Sequence, residues 1–130
     1  MEFSRNRATD RRPEGDRVLD ASFVLVDTTS VETNLLHEKE IQNNGKSGYT
    51  VFKSDKLAIV LVMLDEGNSI LPGKTSGTMV LQVLQGQLDV KVAEQSVELE
   101  PMRILVIRPD MDCEIHAAKD SRFYLFNAIE

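Results

Sequence analysis

The chain has one cysteine, Cys113, and two histidines, His37 and His116. A lone cysteine excludes an intrachain disulfide and fits a reducing compartment, so the cytoplasm is the expected location. No CxxC pair, Gly-rich phosphate loop or Ser-His-Asp arrangement is present, which removes dithiol redox, nucleotide hydrolysis and serine hydrolysis from consideration. No run approaches about 18 consecutive apolar residues, so no membrane-spanning helix is expected. The charged first twenty residues lack an apolar segment, so no secretory signal is expected either. Arginine is scarce outside that stretch. Net charge is -6, yet Arg5, Arg7, Arg11, Arg12 and Arg17 are five of the eight arginines, and the chain beyond residue 17 stands at -7. An acidic body disfavours nucleic acid, because phosphate binding needs clustered cations on the folded surface. The Arg-rich leader, with acids interspersed, reads as a solvated arm.

What remains is a β-rich chain. Its 130 residues suit one domain, and 42% hydrophobic content suits a packed core. Residues 1–17 are expected to form a flexible arm and 18–130 the folded domain. Ser22–Asp27 is a short β-prone run. Thr29 followed by Glu32 has the spacing of a capping box, and Val31, Leu35, Leu36 and Ile41 give a rough apolar face, so a helix is expected up to Asn43-Asn44-Gly45. Beyond Gly48, about eight or nine short strands alternate with turn residues, the pattern of a sandwich or barrel. Leu57–Leu64 and Ile104–Ile107 are apolar on both faces. A strand buried on both sides needs an outer cover, so a homodimer is the expected partner arrangement.

The segment from Gly67 to Gly86 carries a resemblance. Gly67 is followed after five residues by Gly73-Lys74-Thr75, after three more by Met79, and after six more by Gly86. This resembles the first motif of the cupin family, in which the same spacing reads Gly, His-x-His, Glu, Gly. Gln82–Leu88, Leu99–Arg103, Val106–Cys113, Asp120–Leu125 and the leader Arg12–Ala21 are also similar to cupin segments in order and spacing. The resemblance implies an all-β fold, a cupin-like double-stranded β-helix (jelly-roll) barrel with one short N-terminal helix.

The same resemblance implies that the metal is lost. Cupin sites hold their metal with about three imidazoles and a carboxylate, a donor set suited to iron, manganese, nickel, copper or zinc. Here those positions hold Gly73, Thr75 and Met79, and the last histidine maps to Cys113 or Glu114. No cofactor and no metal are therefore expected. Strand alternation puts Cys113, Ile115 and Ala117 inside and Glu114 and His116 outside. The other register would put Glu114 and His116 inside as a two-ligand pair. Thr75, Met79, Leu81, Val83, Cys113 and Ile115 are the candidate pocket residues, lining either a small apolar pocket or a filled core. Cys113 and His116 lie three apart on a strand and face opposite sides, so they do not make a nucleophile pair. Asp65-Glu66 and Asp110/Asp112 read as loop acids. Lys74 and Arg103 are expected near the barrel mouth. These features favour a metal-free, non-catalytic protein binding a small molecule or a protein partner, with no catalytic residues. Two alternatives stay open: a divergent metal-dependent isomerase or oxygenase using Glu114 and His116, and a sensor or scaffold acting through its dimer surface.

Overall fold

The structure, a computed structural model, describes residues 4–6, 17–20, 22–42 and 45–129, with side chains from 22–37 and 45–129. Two short strands, β1 (Ser4–Asn6) and β2 (Arg17–Asp20), pair antiparallel. The leader thus contributes a ribbon at its two ends, and residues 7–16 of the expected arm lie outside the described residues. One helix follows, α1 (Thr28–Gln42). Then come β3 (Lys46–Lys53), β4 (Leu57–Leu64), β5 (Ser69–Ile70), β6 (Thr78–Gln85), β7 (Leu88–Val92), β8 (Gln95–Leu99), β9 (Ile104–Ile107), β10 (Cys113–Ala117) and β11 (Ser121–Ala128). They form two antiparallel sheets, ordered β5-β10-β7-β8 and β3-β4-β11-β6-β9. This is the expected jelly-roll barrel with one short helix.

Two apolar clusters explain the sequence pattern. Between the sheets, Leu64, Leu81, Leu88, Val90, Ile115 and Phe123 pack at 0–1% exposure. Outside the five-stranded sheet, Val31 and Leu35 of α1 pack on Tyr49, Leu61, Met63 and Tyr124. In β4, Val62 and Leu64 face the interior while Leu61 and Met63 face the helix. That strand is apolar on both faces because α1 covers its second face. β9 is different: Ile107 is buried, but Ile104 and Val106 remain 63% and 54% exposed.

Three local expectations are corrected. Ser22–Asp27 is not a strand: residues 23–27 carry no ladder, and Phe23 and Leu25 are 88% and 95% exposed. β propensity needs a neighbouring edge to become a strand, and this segment has none among the described residues. The helix cap is Asp27 and not Thr29. Thr29 N donates to Asp27 Oδ1 at 3.0 Å, and the Ser30 hydroxyl donates to Asp27 Oδ2 at 3.2 Å. An aspartate placed just before the first turn satisfies the free amides there, and Glu32 instead meets Arg122 at 3.5 Å. Leu36 points to solvent. Among the described residues no helix is long and apolar enough to cross a membrane.

Candidate functional site

Three backbone hydrogen bonds tie the connecting loops together at one end of the barrel. Gly73 N donates to Cys113 O at 3.3 Å, Asp110 N to Thr75 O at 3.0 Å, and Ala93 N to Asp112 O at 2.9 Å. This end is the mouth. It gathers the β5–β6 loop that carries Gly73 and Thr75, the β7–β8 turn, and the β9–β10 loop. Lys74 is exposed in the first of these loops. Arg103 is not at the mouth. It precedes Ile104, which pairs with Gln82, whereas the mouth end of β9 is Ile107 opposite Met79. At the far end Arg103 lies 3.8 Å from Glu100. The strand direction of β9 places it there, and that direction follows only from the sheet topology.

Directly inside the mouth, alternation sorts the candidate residues. Met79, Leu81 and Val83 on β6 and Cys113 and Ile115 on β10 are all buried and belong to one cluster. Thr75 stays in the loop, half-buried, and its hydroxyl donates to Gly77 O at 2.9 Å. The first five therefore pack together, and Thr75 stands apart at the rim. On the outer face, Glu114 is exposed opposite Lys91, and His116 is half-buried opposite Asp89. His116 Nδ1 lies 2.7 Å from Ser69 Oγ, so the imidazole is engaged across the β5–β10 ladder. Cys113 and His116 point to opposite faces of β10.

The donor set at the mouth does not fit a transition metal. Gly73 offers no side chain, and Thr75 offers a hydroxyl already bonded to backbone. Met79 offers a soft thioether inside the core. Burial pushes the Cys113 thiol above its ordinary value of 9.0, which holds it protonated at neutral pH. Among the described residues no group of three or more His, Cys, Asp or Glu side chains could hold a metal ion.

The raised thiol has a measurable consequence. Below pH 9 the thiol is neutral both folded and unfolded, so its burial carries no ionisation penalty. As pH climbs above 9.0 the unfolded thiol ionises first, and stability falls. Tyr124 is also raised, by burial and then by Glu32, and acts in the same sense from about 10.0 upward. Urea midpoints between neutral and alkaline pH should therefore decline, and Cys113→Val should decline less steeply. Equal slopes for the two proteins would overturn the assignment of a desolvated thiol.

Two clefts open near the mouth. A cleft of about 600 Å³ opens at the seam where the edge of one sheet, β8, meets the edge of the other, β9. Its walls include Val92, Val97, Leu105, Ile107 and Met111, with Glu94 and Gln95 at the rim. A smaller cleft of about 320 Å³ reaches Gly73, Lys91, Cys113 and Glu114. The sequence reading missed the larger cleft, because its wall residues come from strands whose adjacency only the topology creates. Its one sequence signal is the inward alternation of Val97, Leu105 and Ile107.

No family model and no curated protein matches the chain. Solved structures do match. A cupin superfamily protein from Desulfitobacterium hafniense aligns at 20% identity and TM-score 0.64, over 67% of this chain and 80% of that one. Salicylate 1,2-dioxygenase from Pseudoaminobacter salicylatoxidans aligns at 18% identity and TM-score 0.63, over 78% of this chain and 31% of the enzyme. The cupin_2 domain of an XRE family transcriptional regulator from Enterobacter cloacae aligns at 14% identity and TM-score 0.62, over 67% of this chain and 99% of that domain. With its two-sheet barrel and the Gly67-to-Gly86 spacing, this chain has the cupin fold.

Proposed function

We propose that this chain is a metal-free, non-catalytic cupin-fold protein that binds a small apolar molecule in the cleft between β8 and β9. The observation that carries the reading is the burial of two side chains at positions where the resembling motif carries ligands. Met79 and Cys113 are core side chains at 2% and 4% exposure, while the accessible space lies at an apolar seam. A cleft of about 600 Å³ falls in the range of small-molecule sites, which are mostly apolar with a few polar groups at the edge. Glu94 is the charged group at that rim, so a neutral or cationic ligand suits it better than an anion. The fold itself does not choose the function, since similar barrels include both a dioxygenase and a regulator domain.

Two measurements test this reading. The purified protein, dialysed without chelator, should hold well under half an equivalent of transition metal per chain. The neutral dye Nile red should brighten on binding, and Met111→Glu should weaken that binding at least several-fold while leaving the melting curve in place. Metal held at about one equivalent, or dye binding indifferent to Met111→Glu, would overturn it.

A further inference from the structure

The end of the barrel opposite the mouth is built from three turns. Residues 65–68 leave β4, Gly86 and Gln87 join β6 to β7, and residues 118–120 lead into β11. The turns are bonded together. Glu66 N donates to Asp120 Oδ1 at 2.8 Å, Ala118 N to Gln87 O at 2.9 Å, and Gly67 N to Ala117 O at 2.9 Å. Two adjoining clefts open there. One of about 490 Å³ is lined by Glu66, Gln85, Gly86, Lys119 and Asp120. The other, of about 330 Å³, shares Gln85 and Asp120 with it, and its further walls include Leu36, Met63 and Arg122.

Alternation at the start of β11 buries Ser121 and Phe123 and leaves Asp120 and Arg122 on the outer side. These two charges have different partners. Asp120 accepts the Glu66 amide through Oδ1 and keeps Oδ2 for a ligand. The Arg122 guanidinium is held from two sides, with Nη1 3.5 Å from Glu32 Oε1 on α1 and Nη2 donating to Gln85 Oε1 on β6. A guanidinium carries five N–H donors, so donors remain for a ligand. We propose that these clefts bind a free α-amino acid with an apolar side chain. Its carboxylate pairs with Arg122, its ammonium with Asp120, and its side chain lies on Leu36 and Met63. Charge balance selects this class. Across the two clefts Glu66 and Asp120 offset Lys119 and Arg122, so a simple anion would meet acids and a simple cation would meet bases. A zwitterion satisfies both signs. Asp120 and Arg122 are two residues apart, roughly 6.5 Å along an extended chain, a span that an ammonium and a carboxylate on one carbon can bridge. Leu36 supplies the apolar wall: it is 44% exposed on a helix whose Val31 and Leu35 are buried. A cleft of about 330 Å³ lies at the small end of ligand sites, as an amino acid requires.

This site shares no residue with the β8–β9 cleft, so the two readings stand or fall separately. Calorimetric titration of the full chain with L-leucine should show saturable binding at millimolar levels. Isoamylamine, which lacks the carboxylate, and isocaproate, which lacks the ammonium, should each bind at least tenfold more weakly. Asp120→Asn keeps the oxygen that accepts from Glu66 N, so it should keep the melting curve while leucine affinity falls at least tenfold. Arg122→Gln should lose as much affinity. Met111→Glu, in the other cleft, should leave leucine binding unchanged. No saturable leucine binding, an amine or acid that binds as tightly as leucine, full affinity in Asp120→Asn, or leucine binding lost in Met111→Glu would each overturn the proposal.

Discussion

Gly86→Ala is expected to destabilise the chain by about 3 kcal/mol or more. Gly86 turns the chain from β6 into β7 with φ +96°, a region that side chains rarely adopt. A Cβ there would sit 2.4 Å from Asp120 O, 2.7 Å from Ser121 Cα and 2.3 Å from Ser121 Oγ. Those atoms cannot easily withdraw. Gln87 N donates to Ser121 Oγ at 3.1 Å, and that hydroxyl reaches Lys119 O at 2.7 Å. The methyl would break the arch that carries the chain from one sheet to the other. Gly73→Ala is the matched comparison. It also has positive φ, +70°, but nothing lies within 4 Å, so only the backbone cost of about 1–2 kcal/mol applies. Urea denaturation of both variants should show a much larger midpoint shift for Gly86→Ala. Equal shifts would mean that the arch adjusts freely.

Met79→Glu introduces the residue that the resembling cupin motif carries at this spacing, and it should be the more damaging of two such changes. Met79 is 2% exposed within the interior cluster. A carboxylate there would lose its hydration with no cation to meet it, a cost of about 4 kcal/mol. Thr75→His should be tolerated within about 1 kcal/mol, because Thr75 is half-buried in a loop at the mouth. Thermal melts with and without zinc check this pair. A Met79→Glu protein that folds as well as the parent would show a cavity beside residue 79. A severe loss shows instead that the position now belongs to the core.

Much of the barrel is written locally. Leu57–Leu64, Leu88–Val92, Ile104–Ile107 and Cys113–Ala117 begin and end as strands where their apolar runs meet turn residues. The choice of Cys113 over Glu114 as the inward residue was legible too, because alternation on an amphipathic strand admits only one buried face. The sequence was less informative where a neighbour decides. Ser22–Asp27 has strand composition but no ladder, and β5 is too short to show a period. The two apolar faces of Leu57–Leu64 read as a demand for a partner, yet α1 meets that demand within the chain. Among the described residues nothing covers Ile104 and Val106 on the outer face of β9. The cleft at the β8–β9 seam was invisible for the same reason, since Val97 and Leu105 become its walls only when two sheets close.

Ala93, Met102 and Asp110 hold φ of 54°, 74° and 66°, and they occupy the three successive turns around β8 and β9. Each is a non-glycine residue in a conformation that costs about 1–2 kcal/mol, and a glycine there would relieve it. The barrel therefore sits below the stability its own backbone allows, by an amount held in loops and not in the core. That margin bears on how the fold can change. A chain relieved at these turns could absorb a burdensome new side chain at the mouth and still fold, which makes the strained turns the natural first step toward refitting this barrel for another task.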